Sequence, residues 1–293
     1  MHRSGFVNII GNPNVGKSTL MNTLVGEKLS IITSKAQTTR HRIMGIVSGE
    51  DFQIVYSDTP GILKPSYKLQ ESMMKFVTGA LTDADVILYV TDTVEQSERS
   101  AEIVDSIRRS GIPTVVVINK IDLSTPEALE ALVDKWQAEI PGAQVVPTSA
   151  KENFNIEGLF RTILSLLPEG PAFYPKDTLT DKTLRFFASE IIREKILKFY
   201  DKEIPYCCEI EIESYKEEPT IDRISATIYV ARDSQKGILI GHKGEKLKRV
   251  GQTAREDMEQ FLGKKVFLQL FVKVSDDWRN NERQLRRFGY EQE

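Results

Sequence analysis

The chain has 293 residues, of which 28% are charged and 40% hydrophobic, and its formal net charge is −3. This length predicts two domains, and the near-neutral balance excludes a chain that is basic over its whole surface. The two cysteines, Cys207 and Cys208, adjoin in a segment expected to be extended, so they favour buried thiols over a disulfide framework or a zinc site. Apolar runs are strand-sized and no signal-peptide pattern is present, which predicts a cytoplasmic protein.

The first part of the chain alternates short apolar runs with longer helical patterns. The apolar runs are residues 6–10, 52–56, 86–90, 115–118 and 144–146. Helical patterns cover residues 95–109, 126–140 and 156–167. This rhythm predicts an α/β domain with a mostly parallel sheet and helices on both faces. Because ligands bind beyond the carboxyl ends of such strands, the residues that follow each run are the candidates for chemistry.

The first candidate follows the run 6–10 and reads GNPNVGKS, which matches the GxxxxGK[ST] phosphate loop before a predicted helix. In such a loop the backbone N–H groups surround phosphate, Lys17 neutralises the β and γ phosphates, and Ser18 ligates Mg²⁺. The predicted nucleotide contacts are Gly11, Asn12, Pro13, Asn14, Val15, Gly16, Lys17, Ser18 and Thr19. This loop alone does not separate GTP from ATP, or a switch from an enzyme that phosphorylates a small molecule.

The second candidate, Asp58-Thr59-Pro60-Gly61, follows the run 52–56. Asp58 is placed to hold Mg²⁺ through water, and the Gly61 N–H is placed to meet the γ phosphate. Ile62 comes next, and we count it with Asp58, Thr59, Pro60 and Gly61 among the predicted nucleotide contacts. Many GTPases carry a glutamine at this position that orients water. Since an isoleucine cannot hold water, we predict slow hydrolysis in which backbone groups, a partner or an ion position the water.

The third and fourth candidates follow the last two runs. Asn119-Lys120-Ile-Asp122 places a carboxylate that accepts hydrogen bonds from guanine N1–H and the 2-amino group, whereas adenine offers neither donor. Ser149-Ala150-Lys151 is expected to aim the Ala150 N–H at guanine O6 and to pack Lys151 over the base. Together these segments predict selectivity for guanine.

These four motifs, in this order and each at a strand end, resemble the TrmE-Era-EngA group of translation-factor-related GTPases. The resemblance implies hydrolysis of GTP to GDP with Mg²⁺, with catalytic roles for Lys17, Thr39, Gly61 and Asn14. Residues 30–40, which we name the switch segment, are similar to the family's first switch, and Thr39 aligns with its Mg²⁺-binding threonine. A solvated loop threonine is the open alternative. Family members with asparagine at the position of Asn14 use K⁺ beside the phosphates.

Three prolines and a glycine between residues 168 and 175 favour an extended connector. We therefore predict a GTP-binding domain at 1–170, a linker at 171–181 and a second, smaller α+β domain at 182–293. The later pattern predicts a helix at 183–200, strands at 206–215 and 224–232, helices at 234–240 and 245–261, a strand at 266–274 and a terminal helix at 276–288. The order is α-β-β-α-α-β.

Within that order the sequence GHKG, residues 241–244, lies between two helices and resembles the GxxG loop of a type II KH domain. We name these four residues the KH loop. Glycines let an RNA backbone approach, and the basic residues around the loop attract phosphate. The predicted RNA contacts are Ile238, Ile240, Gly241, His242, Lys243, Gly244, Lys246, Lys248 and Arg249. For Ile240 core packing is an equal alternative, and the basic stretch 278–287 either extends this surface or is a solvated helix face.

Over its whole length the chain resembles the Era family of bacterial GTPases. The resemblance implies a GTP-driven switch that binds single-stranded 16S rRNA, rather than DNA, and acts in maturation of the small (30S) ribosomal subunit. A monomer is expected. Peripheral contact with the inner face of the cell membrane is described for the family, although the chain shows no amphipathic anchor. The alternatives are a GTPase whose second domain binds a protein and a P-loop enzyme that phosphorylates a small molecule.

Overall fold

The computed structural model describes residues 2–94 and 101–290. It divides into two compact units, Met1–Ser66 with Met73–Asp181, and Tyr67–Ser72 with Lys182–Glu293. Residues 171–181, the predicted linker, pack on the first unit. The N–H groups of Phe173 and Tyr174 donate to Gln53 Oε1 at 2.7 and 2.9 Å, and Thr180 Oγ1 donates to Met44 O at 2.6 Å.

Within the described residues the first unit contains six strands. They are β1 (Arg3–Gly11), β2 (Ile43–Ser48), β3 (Phe52–Asp58), β4 (Val86–Asp92), β5 (Thr114–Asn119) and β6 (Gln144–Pro147). The order across the sheet is β2-β3-β1-β4-β5-β6, and every neighbouring pair is parallel except β2–β3. The predicted fold class is confirmed. The edge strand β2 was missed, because its six residues follow a long polar loop and show no strict alternation.

Helices cover both faces of this sheet. They are α1 (Lys17–Val25), α2 (Lys68–Thr82), α3 (Ala101–Ser110), α4 (Pro126–Glu139) and α5 (Ile156–Leu166). Every residue of β4 and β5 is buried, as expected for parallel strands that helices cover on both sides. Thr125 caps α4 by accepting from the Ala128 N–H, and Pro126 occupies the first turn. The first part of the helical pattern 95–109, residues 95–100, lies outside the described residues.

The second unit follows the α-β-β-α-α-β order, with an additional short helix near its start. Its elements are α6 (Leu184–Phe199), α7 (Ile204–Cys207), β7 (Glu209–Glu217), β8 (Ile221–Val230), α8 (Asp233–Ile240), α9 (Glu245–Leu262), β9 (Lys265–Val274) and α10 (Glu282–Arg287). The sheet order is β7-β8-β9, with β7–β8 antiparallel and β8–β9 parallel. Its core joins Ile192 and Ile196 of α6 to Ile228 of β8 and Ala254 of α9.

Two expectations about this unit were wrong. Cys207 ends the one-turn helix α7 rather than lying in an extended strand, and the first strand begins later, at Glu209. Both thiols are nevertheless buried, and each Sγ donates to Ile204 O. The terminal helix is broken into a 3₁₀ turn, Trp278–Asn280, and α10, because the fully buried Trp278 ring is held by its Nε1 donating to Cys207 O at 2.9 Å.

A search of the described helices for an apolar stretch that could cross a membrane found no candidate.

Candidate functional site

The phosphate loop, residues 11–18, connects the carboxyl end of β1 to α1. Gly16 has a φ of 97°, and a Cβ at this position would overlap the Asn119 side chain, so both the backbone conformation and the space require glycine. Lys17 is buried, and its Nζ donates to Gly11 O at 3.0 Å and to Asn12 O at 2.8 Å. The lysine side chain therefore lies back across the loop where phosphate is predicted.

The three predicted Mg²⁺ ligands lie together. Ser18 Oγ donates to Asp58 Oδ2 at 2.7 Å and lies 2.8 Å from Thr39 Oγ1, which is itself 3.3 Å from Asp58 Oδ2. The other carboxylate oxygen, Asp58 Oδ1, is buried and has no hydrogen bond of normal geometry within the described residues. Two hydroxyls and a carboxylate with an unused oxygen form a donor set that suits a hard cation such as Mg²⁺.

The carboxyl group of Asp58 is fully buried. Burial raises its pKa, while the Lys17 ammonium and the hydroxyls of Ser18, Ser30 and Thr39 act in the opposite direction. Burial is the largest of these influences, so the pKa of the carboxyl lies above its ordinary value, and nearby positive charge would lower it. A divalent cation at this position would supply that charge.

Asn119 connects the phosphate loop to the segment Ser149–Lys151 by hydrogen bonds. Its Nδ2 donates to Val15 O of the phosphate loop at 2.9 Å, and its Oδ1 accepts from the Ala150 N–H at 3.0 Å. The Ala150 N–H, which was expected to meet guanine O6, therefore already has an acceptor in this structure. Asp122 lies in the 3₁₀ turn Ile121–Leu123 that follows β5, and its Oδ1 accepts from Ser149 Oγ at 2.6 Å, which orients the carboxylate.

Lys120 joins the phosphate loop to the end of β4. Its backbone is left-handed, with a φ of 60°, and its Nζ donates to Asn14 O at 2.5 Å and to Asp92 Oδ2 at 2.6 Å. Asp92 was not predicted, although it ends β4 directly beside Asn119 in the sheet register. An acidic residue at a buried strand end was the signal that would have identified it.

A cavity of about 420 Å³ opens between the phosphate loop and the switch segment. Its lining residues are Pro13, Asn14, Gly16, Lys17, Ser18, Thr19, Ile31, Ile32, Thr33, Ser34, Lys35, Gln37, Thr38, Thr39, Gly61, Lys120 and Lys151. The start of the switch segment is anchored by Asn22, whose Oδ1 accepts from the N–H groups of Leu29 and Ser30, both at 2.9 Å. Sequence reasoning missed Asn22, because nothing in its own neighbourhood marks it.

Some predicted residues support the site without lining it. Ile62 is buried in the core with Ile10 and Val77, and its N–H donates to Gly11 O at 3.1 Å. Thr59 is buried, with its Oγ1 donating to Ile9 O at 2.7 Å. Pro60 is buried as well. These residues hold the segment Asp58–Gly61 against β1, so their contribution is to position rather than to contact.

In the second unit, the KH loop bends through left-handed residues between α8 and α9. The φ angles are 74° at Gly241, 49° at Lys243 and 81° at Gly244. The basic side chains at this bend are exposed, namely His242, Lys243, Lys246, Lys248 and Arg249. Ile238 is 44% exposed and Ile240 is half-buried, so both offer apolar surface next to the glycines.

Two aromatic residues that the sequence reasoning missed stand beside this loop. The Arg249 guanidinium lies 4.3 Å from the Phe199 ring centroid, and Lys246 Nζ lies 5.9 Å from that of Tyr200. Tyr200 donates to Leu239 O at 2.6 Å, and burial raises the pKa of its hydroxyl to about 12, so it stays a donor at neutral pH. Phe199 is the last residue of α6 and Tyr200 caps it, and α6 packs against α9.

Two residues of the basic stretch 278–287 stabilise the second unit itself. Trp278 belongs to the core, and Arg287 donates to both carboxylate oxygens of Glu211, at 2.8 and 2.5 Å. Arg287 thus holds α10 on the sheet.

Comparison with known proteins gives consistent matches to both units. A family model described as 50S ribosome-binding GTPase matches residues 6–120, and one described as KH domain matches residues 203–279. GTPase Era of Staphylococcus haemolyticus (strain JCSC1435) is 45% identical over 291 residues, which is 99% of this chain and 97% of that protein. GTPase Era of Alkaliphilus metalliredigens (strain QYMF) is 45% identical over 293 residues, with 99% of both chains covered.

Two solved structures match over the full length. The crystal structure of Era in complex with MgGDPNP and nucleotides 1506–1542 of 16S ribosomal RNA superposes with a TM-score of 0.96 at 40% identity, covering 100% of each chain. The crystal structure of a variant of Aquifex aeolicus Era bound to GDP·AlF₄⁻ gives a TM-score of 0.95 at 41% identity, covering 99% of this chain and 100% of that one.

Proposed function

The chain belongs to the Era family of GTPases, and from this premise we propose that it is a GTP-driven switch that binds 16S rRNA through its KH domain. GTP orders the switch segment, the RNA-bound state is used in small-subunit assembly, and hydrolysis to GDP resets the protein. The observation that carries the proposal is the cluster of Ser18, Thr39 and Asp58 beside Lys17, since it joins the switch segment to the phosphate site.

We assign each residue of that cluster a role. Ser18, Thr39 and Asp58 would hold Mg²⁺, and the ion would supply positive charge that neutralises the phosphates. Lys17 exchanges its two carbonyl acceptors for phosphate oxygens. Thr39 is a ligand only while the switch segment is closed, so its position differs between the GTP and GDP states. Gly61 supplies its backbone N–H to the γ phosphate.

Guanine selectivity is assigned to Asp122. Changing Asp122 to Asn replaces an acceptor with a donor at the base, so affinity for GTP should fall about a hundredfold while affinity for xanthosine triphosphate rises. Titration with fluorescent analogues of both nucleotides measures this exchange. Asp134→Asn, an exposed substitution on α4, is the matched control and should leave both affinities unchanged. Unaltered GTP preference in the Asp122 variant would overturn the assignment.

Water positioning is assigned to backbone groups and a K⁺ ion beside Asn14, because Ile62 lies in the core and does not reach the cavity. Asn14 lines the cavity with a left-handed φ of 66°. A monovalent cation there would supply positive charge to the developing transition state. Turnover should therefore be faster in K⁺ than in Na⁺ buffer, and Asn14→Ala should abolish the difference. Equal rates for the unaltered protein would contradict this role.

RNA binding is assigned to the KH loop and its exposed cations. It is supported by the basic, glycine-bent surface of this unit and by the related Era structure that contains nucleotides 1506–1542 of 16S rRNA. The test is anisotropy of a labelled single strand from the 3′ end of 16S rRNA, with a scrambled strand of equal composition. Affinity should fall with salt and about tenfold on Gly244→Asp, which adds a like charge at a left-handed position.

Gly79→Asp adds the same charge at an open position of α2 and should leave RNA affinity unchanged. Equal binding of both RNA strands, or full affinity of the Gly244 variant, would favour the alternative in which this domain binds a protein. Phosphate transfer to a small molecule instead of phosphate release would overturn the switch itself. A cytoplasmic monomer, and contact with the membrane surface, remain predictions that cell fractionation and sedimentation would test.

A further inference from the structure

A polar network, buried except at Asp83, crosses the sheet of the first unit, and none of its residues belongs to the motifs above. Asn8 lies in the middle of β1 and is fully buried, which is unusual for an amide in a central parallel strand. Ser57 is its register neighbour on β3, and Arg42 directly precedes β2. Asp83 follows α2.

Arg42 donates to all three of these side chains. Its Nε reaches Ser57 Oγ at 2.5 Å, its Nη2 reaches Asn8 Oδ1 at 3.1 Å, and its Nη1 and Nη2 reach the two oxygens of Asp83 at 2.5 and 3.0 Å. Asn8 Nδ2 completes the network by donating to Ala80 O at 2.6 Å and to Asp83 Oδ1 at 2.7 Å. All three nitrogens of the planar guanidinium donate, in a fork geometry that an ammonium cannot reproduce.

The network is tied to the Mg²⁺ ligands through the chain itself. Arg42 follows Thr39 by three residues, and Ser57 immediately precedes Asp58. The guanidinium therefore joins the backbone that carries the switch threonine to the backbone that carries the buried carboxylate. Arg42 does not line the cavity, and its described hydrogen bonds go to Asn8, Ser57 and Asp83 rather than to the three Mg²⁺ ligands.

We propose that Arg42 is a positioning residue that holds the end of the switch segment on the sheet, so that Thr39 and Asp58 meet at one Mg²⁺. The inference rests on the proposed Mg²⁺–GTP site. Holding the segment lowers the entropy lost when it closes on the γ phosphate, since fewer conformations must be given up. The effect belongs to the GTP state, because Thr39 is a ligand only there.

The experiment compares two nucleotides in the full-length protein. Arg42→Met should weaken Mg²⁺-dependent binding of a non-hydrolysable GTP analogue about tenfold, the amount expected for lost charge-assisted hydrogen bonds, and should lower turnover similarly. GDP affinity should change by less than about twofold, because the phosphate loop and Asp122 are untouched. Arg42→Lys should recover part of the loss. Arg161→Met, which removes an exposed ion pair with Glu157, is the matched control.

A second variant addresses the case in which Arg42→Met does not fold. Asp83 is 50% exposed, so Asp83→Asn keeps the shape and weakens the same contacts at small cost to stability. It should show the same selective loss, and combining it with Arg42→Lys should give less than the sum of the two effects.

Three results would overturn the inference. The first is an equal loss of affinity for GDP and for the GTP analogue together with a lowered thermal midpoint, because this indicates a purely structural role. The second is unchanged nucleotide binding in both Arg42 variants. The third is strict additivity of the effects of Arg42→Lys and Asp83→Asn. If the unaltered protein binds the GTP analogue without Mg²⁺ dependence, the proposed site fails first and the inference fails with it.

Discussion

The nucleotide site and the KH loop obtain their shapes in different ways. At the nucleotide site Lys17, Thr39 and Asp58 are 6%, 7% and 0% exposed, and their polar atoms bond to each other or to the backbone. At the KH loop the basic side chains are exposed, and the bend depends on the backbone of Gly241 and Gly244. The first site is thus held by contacts among its own buried polar groups, whereas the second offers a bent backbone and exposed charges.

This difference predicts how each region responds to change. A buried, preorganised site works through a few strong interactions, so single substitutions there should have large and specific effects. An exposed loop sums several screened phosphate contacts, so each substitution should have a small effect that depends on salt.

The largest effect is expected at Lys17. Lys17→Met removes the buried cation bonded to the Gly11 and Asn12 carbonyls and should weaken GTP binding on the order of 10²–10³-fold. Titration with a fluorescent GTP analogue measures it. Lys75→Met, exposed on α2, serves as the control. A loss smaller than about tenfold would remove the contrast between the two regions.

Asp58→Asn should weaken Mg²⁺-dependent nucleotide binding about 10- to 100-fold. Without nucleotide, the same substitution should raise the thermal stability of the protein. Burial raises the pKa of Asp58 above its unfolded value, so the folded protein loses stability as pH rises through the folded-state pKa. Asparagine has no such cost, and the thermal midpoint of the variant should exceed that of the unaltered protein at neutral pH. The gain should disappear in acid.

Thermal melts from acid to neutral pH, without nucleotide, provide this measurement. A variant that is less stable at neutral pH would show that the carboxylate is already well compensated in the empty site.

Ser149→Ala tests a buried residue that orients the exposed carboxylate of Asp122. Its Oγ donates to Asp122 Oδ1, so its loss should relax the carboxylate and reduce GTP affinity about fivefold. Competition between GTP and xanthosine triphosphate reports the change, with Ser165→Ala as an exposed control. An unchanged affinity would mean that Asp122 is positioned by the backbone alone.

The smallest effect is expected for Lys248→Ala at the exposed KH surface. RNA affinity should fall about threefold, and the slope of log affinity against log salt should lessen by about 0.7, the value for one phosphate contact to a single strand. Anisotropy at several salt concentrations gives both numbers, with Lys216→Ala on β7 as the control. A loss as large as that at Lys17 would mean that the two regions do not differ as described.

Sequence reasoning found the features that are local in the chain. The phosphate loop, Asp58 and Asp122 were recognised because each lies in a short motif directly after an apolar strand. The fold class followed from the same alternation of runs and was confirmed. By contrast, Ile62 was counted with the nucleotide contacts, and only the structure places its side chain in the core.

The residues that were missed make their contacts across long separations in the chain. Asp92 pairs with Lys120 over 28 positions, Arg42 pairs with Asp83 over 41, and Trp278 bonds to Cys207 over 71. No local pattern marks such partners, because packing of whole elements brings them together.

The sequence by itself determined that the phosphate loop and the segments 58–61 and 119–122 stand in order at strand ends, and that a GxxG bend follows. Glycine spacing, apolar period and hydrogen-bonding groups are properties of short segments. Tertiary structure decided which side chains face the cavity and which brace it. That choice depends on strand register and helix packing, which bring distant polar groups together where water is excluded and each must find a partner.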